Sequence, residues 1–234
     1  MVKPTVGIII QKFVRPKKRV EWRAVGTAFQ IAHDPLPTFM TCAHVMLDGH
    51  QRPRGEFAVF AGFGRGDTRL AGVRIEHVRS EIDALIFVSG HQAKSESIVF
   101  ADDYTVGMGE PVAAIGAPLQ SEPEWLADGT GKQDIAIRLA VGWACSHDIK
   151  RRFKETLYTD PDLNHIEINM LGYPGISGGP LFNAHGHAIG MMRGSAMSKG
   201  EIIAPYCYAN RASELLAFAR DANVKCAISK QSDA

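Results

Sequence analysis

Apolar, β-branched runs recur along the first half of the chain at 6–14, 22–32, 38–47, 57–63, 70–78 and 83–88, separated by turn-forming and polar residues. None has a long helical period, so each predicts a short strand. Pro16-Lys17-Lys18 and Asp34-Pro35-Leu36-Pro37 supply turns between them. After a polar crossing near 101–110, a second series follows at 111–118, 135–146, 166–171, 178–182, 189–192 and 202–208. Only the end reads as helical: within Ser213 to Arg220, the apolar residues Leu215, Leu216 and Ala219 fall on one packed face. The pattern predicts an all-β protein of two six-stranded antiparallel barrels with a C-terminal helix, divided into residues 1–105 and 106–234. Two longer stretches, 119–132 and 148–165, interrupt the second series and are expected to be loops, the second carrying Lys150, Arg151, Arg152 and Lys154.

Composition narrows this picture. With 234 residues, 45% of them hydrophobic, the chain can bury one large core or two small ones, and 23 glycines with 12 prolines suit many strands and turns. A formal charge of +1 gives no reason to expect nucleic acid or an anionic membrane as partner. Neither a signal peptide nor an apolar run of membrane-spanning length is evident, so a cytoplasmic protein is expected. The four cysteines, Cys42, Cys145, Cys207 and Cys226, are too sparse for a disulfide framework and read as reduced thiols.

The candidate chemistry centres on Gly172-Tyr-Pro-Gly-Ile-Ser-Gly-Gly-Pro-Leu-Phe182, which sets Ser177 among glycines at a strand edge. A serine hydroxyl is a poor nucleophile at neutral pH and needs a base within hydrogen-bond reach and donors for the developing oxyanion. Glycine at 175 would let the N–H groups of Gly175 and Ser177 converge, and Gly178 and Gly179 would admit substrate closely. His44, at the end of the predicted strand 38–47, is the candidate base, and Asp83, opening the strand 83–88, is the candidate carboxylate that fixes its tautomer. Cys42, two residues before His44 and so on the same face of that strand, is read as a small buried hydrophobe rather than a thiol nucleophile or zinc ligand. His185-Gly186-His187 is read as a solvated hairpin turn, and no metal or other cofactor is expected.

The chain order His44, Asp83, Ser177 resembles the chymotrypsin-like serine proteases. Gly26-Thr-Ala-Phe-Gln-Ile31 followed by Thr41-Cys-Ala-His44 is similar to the strand pair that leads to the family's catalytic histidine. Residues 188–195 are similar to the strand lining its primary specificity pocket, and 209–221 to its C-terminal helix. The pattern is closest to bacterial trypsin-like and HtrA-type protease domains, here without a following PDZ domain. The resemblance implies a double barrel with the active site in the cleft between barrels, and a serine endopeptidase acting on protein or peptide substrates. Substrate would bind as a strand beside Met192, Arg193, Gly194 and Ser195. Leu171 would be the floor of the primary pocket, where trypsin-like enzymes carry aspartate, and an apolar floor beside Met192 disfavours Lys or Arg before the cut. Arg193 leaves an acidic preference as a lesser option.

Ile176 occupies the position where digestive relatives hold an aspartate that pairs with a newly released N-terminus. The segment 174–177 must then be ordered by packing, by the 148–165 loop, or by a substrate or regulatory protein partner. Two other readings share the fold: a non-catalytic peptide-binding pseudoprotease, and an esterase using the same three residues.

Overall fold

The computed structural model describes residues 6–14, 20–61, 71–90, 96–101, 105–117, 124–125, 131–132, 137–149, 165–198 and 201–229. The first six strands are β1 (Val6–Val14), β2 (Val20–Ala32), β3 (Thr38–Cys42), β4 (Phe57–Ala61), β5 (Ala71–Arg79) and β6 (Ala84–Ser89). They close into a barrel in the order β1-β2-β3-β6-β5-β4, with the β1–β4 pair sealing it. The Ile8-Ile9-Ile10 run is buried on both strand faces. Ile9 points into the barrel core, while Ile8 and Ile10 pack with Phe60 and with Ala117 from the second half. This double burial is why β1 reads as a continuous apolar run rather than an alternating one.

One element differs from the pattern. The predicted strand 38–47 stops at Cys42, and a single turn of helix, α1 (Ala43–Met46), carries His44. Cys42 and His44 therefore do not share a strand face. A short apolar run has no periodicity long enough to separate a strand from a strand followed by one helical turn.

The second half contributes β7 (Val99–Ala101), β8 (Pro111–Gly116), the two-residue strands β9 (Glu124–Trp125) and β10 (Gly131–Lys132), β11 (Arg138–Ile149), β12 (His165–Asn169), β13 (Pro180–Phe182), β14 (Ala188–Ser198), β15 (Glu201–Arg211), α2 (Ala212–Asp221) and β16 (Ala227–Ser229). The ring β13-β8-β11-β12-β15-β14 closes through the β13–β14 pair, giving the second six-stranded barrel. The strands β7 and β16 pair in parallel beside β14. Sequence pattern anticipates neither, because each is three residues long. The strand β7 lies within residues 1–105 yet joins the sheet of the second barrel. The predicted 119–132 and 148–165 loops fall mostly outside the described residues.

The helix α2 buries Leu215, Leu216, Phe218 and Ala219, and Asn223 ends it at a positive φ of 62°. Its buried face joins a core that runs across the junction, from Phe29, Phe39 and Phe87 of the first barrel to Phe100, Phe182 and Met191. A separate core fills the second barrel around Val112, Ile166, Ile168, Leu181, Ile189 and Met192. The junction carries the candidate site on one side.

Candidate active site

Asp83 occupies the last position of a turn in which its N–H donates to the Ser80 carbonyl at 3.0 Å. Its φ of 51° is a left-handed conformation that aspartate tolerates better than most residues. The turn folds the carboxylate back onto the start of α1. There Oδ1 accepts the His44 N–H at 2.9 Å, Oδ2 accepts Nδ1–H of the same residue at 2.6 Å, and the Asp83 carbonyl accepts the Ala43 N–H at 2.9 Å. Two bonds to one histidine fix both its backbone and its ring. Because the carboxylate only accepts, Nδ1 carries the proton and Nε2 of the neutral ring carries the lone pair. Asp83 is 2% exposed, whereas the His44 side chain keeps 35% of its surface open.

Ser177 lies in a double turn from the second barrel. The first turn runs from Tyr173 to Ile176, closed by an Ile176 N–H to Tyr173 carbonyl bond of 3.2 Å, with Pro174 and then Gly175 at its corners. Gly175 has φ 99°, as the third position of a type II turn demands. The second turn is closed by Gly179 N–H to the Ile176 carbonyl at 2.9 Å, with Gly178 at φ 81°. A side chain at Gly178 would meet the Thr27 carbonyl at 2.1 Å, so glycine is required there by contact as well as by conformation. Among the described residues, neither the Gly175 N–H nor the Ser177 N–H makes a hydrogen bond.

Thr27 of β2 moors this loop to the first barrel. Its hydroxyl donates to the Gly175 carbonyl at 2.6 Å and accepts the Ala117 N–H at 3.0 Å, and its own N–H donates to the Ser177 carbonyl at 2.9 Å. Thr41 in turn donates to the Thr27 carbonyl at 2.7 Å. Beneath the loop, Ile176 is 2% exposed and packs into the second-barrel core. An apolar side chain thus anchors the segment where digestive relatives hold an aspartate. The sequence pattern places Thr27 in a strand and gives no sign of a part in the site. The available signal was the Gly26-Thr27 pair facing a glycine-rich loop, and that facing exists only once the barrels are docked.

The Ser177 hydroxyl donates to the Arg193 carbonyl at 3.1 Å. Arg193 itself departs from what its place in the sequence suggests. Its side chain is 7% exposed and turns inward, with Nε 3.4 Å from Asp83 Oδ2 and Nη1 3.3 Å from Nε2 of His165. A guanidinium so placed does not present its charge to a substrate side chain. His165, fully buried at the start of β12, is pushed down to about 4, first by burial and then by the Arg193 and Arg211 charges, so it stays neutral near pH 7.

The remaining predicted positions are distributed as follows. Met192 is fully buried, Gly194 and Ser195 are partly exposed, and Leu171 is 69% exposed. An open Leu171 does not form a closed apolar floor. Gly172 instead abuts Ser195 and Cys207, whose atoms would lie 2.6 and 2.7 Å from a β-carbon there.

Cys42 is buried, and its thiol donates to the Met192 carbonyl at 3.2 Å. Burial first, and then the Asp83 charge, push the thiol well above its ordinary range, which disfavours the nucleophilic thiolate. Ligand atoms of Cys42, His44 and Asp83 lie within 4.8 Å of one another. The carboxylate and Nδ1 are already bonded to each other, the thiol is held protonated, and the Arg193 cation adjoins the group. This donor set suits a hydrogen-bonded relay better than a metal ion. His185 and His187 lie in the β13–β14 hairpin turn, where both backbone N–H groups bond to the Asn183 side chain. All four cysteines are free thiols.

His44 and Asp83 thus come from one barrel and the Ser177 loop from the other. Residues 26–191 match the trypsin-like peptidase domain family, and the chain belongs to that family. Among solved structures it is similar to the inactive form of the Rv3671c protease, at 19% identity and a TM-score of 0.64, covering 95% of this chain and 91% of that one. It is also similar to an inactive serine-to-alanine mutant of Rv3671c from M. tuberculosis H37Rv, at 18% identity and a TM-score of 0.65, covering 95% and 88%. These likenesses show the chymotrypsin-like fold. A search of curated proteins finds no match to this chain. Among the described residues, no helix is long and apolar enough to cross a membrane.

Proposed function

We propose that the chain is a serine endopeptidase that uses His44, Asp83 and Ser177 and passes through an acyl-enzyme. The observation that carries this reading is the pair of bonds from Asp83 to the backbone and ring of His44. That pairing leaves Nε2 as the free base of a half-open imidazole beside the Ser177 loop. In the resting arrangement the serine hydroxyl donates to the Arg193 carbonyl, and the reaction requires that it turn instead to Nε2 of His44. Ser177 Oγ then bonds to the peptide carbonyl carbon while His44 takes the proton, and Asp83 stabilises the imidazolium. The unbonded N–H groups of Gly175 and Ser177 are the candidate donors to the oxyanion, each contributing on the order of 3 kcal/mol in comparable sites. His44 returns the proton to the leaving amine, and water repeats the cycle on the ester.

For substrate, the backbone edge at Gly194 and Ser195 is the candidate strand partner. With the Arg193 guanidinium buried, the acidic preference loses its basis, and with Leu171 open the apolar pocket floor loses its own. The test is covalent labelling of the intact chain by a fluorophosphonate, read by mass spectrometry, alongside peptide turnover. Ser177→Ala should abolish labelling and lower kcat by roughly four to six orders of magnitude. Equal turnover in wild type and Ser177→Ala would sink the peptidase reading.

A further inference from the structure

A buried row of polar groups, His165, Arg193 and Asp83, lies beside the candidate triad, and its central member has no part in the proposed proton transfers. Arg193 leaves β14 of the second barrel and crosses to the Asp83 turn of the first, with Nε 3.4 Å from Oδ2. On its other side, Nη1 lies 3.3 Å from Nε2 of His165. Since burial and the guanidinium keep His165 neutral, its Nε2 can accept from Arg193 in one tautomer and so aim the planar fork. The same residue's carbonyl accepts the Ser177 hydroxyl. The adjacent Met192 carbonyl accepts the Cys42 thiol, so this stretch of β14 touches both the serine loop and the strand that leads to His44.

We propose that Arg193 is a positioning residue of the peptidase reaction, its guanidinium holding the Asp83 carboxylate in register with His44 from across the barrel junction. This rests on the serine peptidase reading. The physical case comes from burial. Asp83 is 2% exposed and, while His44 is neutral, its two hydrogen bonds to His44 bring no counter-charge. A buried carboxylate needs a cation or several donors, and among the described residues Arg193 supplies a cation at 3.4 Å. Because Arg193 belongs to the same barrel as Ser177, the bridge also ties the carboxylate of one barrel to the nucleophile of the other. A small error in their relative placement is costly to a reaction that requires aligned groups. Arginine supplies a rigid fork that meets the carboxylate with one edge and the imidazole with the other, which the single point charge of lysine does not do.

The experiment compares wild type with Arg193→Met and Arg193→Lys, measuring peptide kcat and KM separately and the rate of Ser177 labelling by a fluorophosphonate. In Arg193→Met, kcat and the labelling rate should both fall about 10- to 100-fold, the loss of one buried charged contact, while KM changes less than about threefold. The second readout is proton NMR. The low-field Nδ1 proton of His44, identified by its loss in Asp83→Asn, should shift in Arg193→Met. In wild type, the Arg193 Nε proton, assigned by its loss in Arg193→Lys, should exchange slowly and move on Asp83→Asn. This last measurement holds even where the Met variant fails to fold. An Arg193 Nε proton that exchanges like that of a solvated guanidinium and ignores Asp83→Asn overturns the proposal, as does a folded Arg193→Met that labels within threefold of wild type. Wild type that no phosphonate labels overturns the peptidase reading itself, whereas a labelled wild type with an indifferent Arg193→Met overturns only the role of Arg193.

Discussion

His165 is fully buried beside Arg193, and the two partly exposed or buried arginines near it, Arg193 and Arg211, outweigh the distant pull of Asp83. In the unfolded chain the imidazole takes a proton below its ordinary value of 6.5, but in the folded protein only below about 4. Between those values the unfolded state binds more protons, so stability falls as pH falls through the window. The loss attributable to this residue approaches about 3 kcal/mol once pH is below 4. His165→Gln, which keeps a hydrogen-bond acceptor without the titration, should therefore show a flatter denaturation midpoint from pH 6.5 to 4 than wild type. Parallel pH dependences for the two proteins would show that His165 is protonated or exposed in solution. Histidine, aspartate and serine could be picked out of the sequence because few residue types perform their chemistry, and their order restricts the choice further. His165 could not, since an isolated histidine before an apolar strand has no signal of its own.

The loop from Tyr173 to Gly179 is two successive turns, and its shape depends on a strand from the other barrel. Thr27 is the link: its hydroxyl serves both the Gly175 carbonyl and the Ala117 N–H, and both would be buried and unpaired behind a valine of the same shape. Leaving them so costs about 1–3 kcal/mol per group. Thr27→Val should lower stability by about 2–4 kcal/mol in denaturant titration, and should slow Ser177 labelling more than it raises KM, since the loop is displaced rather than the substrate edge. Thr27→Ser should recover most of both. A valine variant with native labelling kinetics would show that the loop holds its form unaided. Here the sequence was informative about conformation, because Pro174, Gly175 and Gly178 mark the turns. It was silent about orientation, which comes from Thr27. In the same way, His44 reads as the end of a strand, but the bonds from Asp83 to Ala43 and His44 stabilise a turn of helix there.

One hydrophobic core runs across the junction of the two barrels. Phe29 of β2 meets Phe100 of β7 edge to face, with ring centroids 6.0 Å apart, and Asn210 of β15 donates to the Ile82 carbonyl at 2.5 Å. Removing the Phe100 ring opens a cavity at this junction and should lower stability by about 3–5 kcal/mol. Since this core spans the junction, both barrels should unfold in one transition. Trp22 and Trp143 lie in different barrels, so single-tryptophan variants report each half separately, and coincident fluorescence midpoints are expected. Two resolved midpoints would show that the halves are independently stable. The alternation of apolar runs and turns was enough to determine two sets of six strands and the terminal helix, because strand periodicity and turn chemistry are local properties written in neighbouring residues. Only the tertiary structure decided that β7 and β16 exist, that Thr27 holds the serine loop, that Leu171 faces outward and that Arg193 turns toward Asp83. Those features depend on which surfaces meet when two barrels dock, and contacts between residues more than a hundred positions apart leave no period in a single chain.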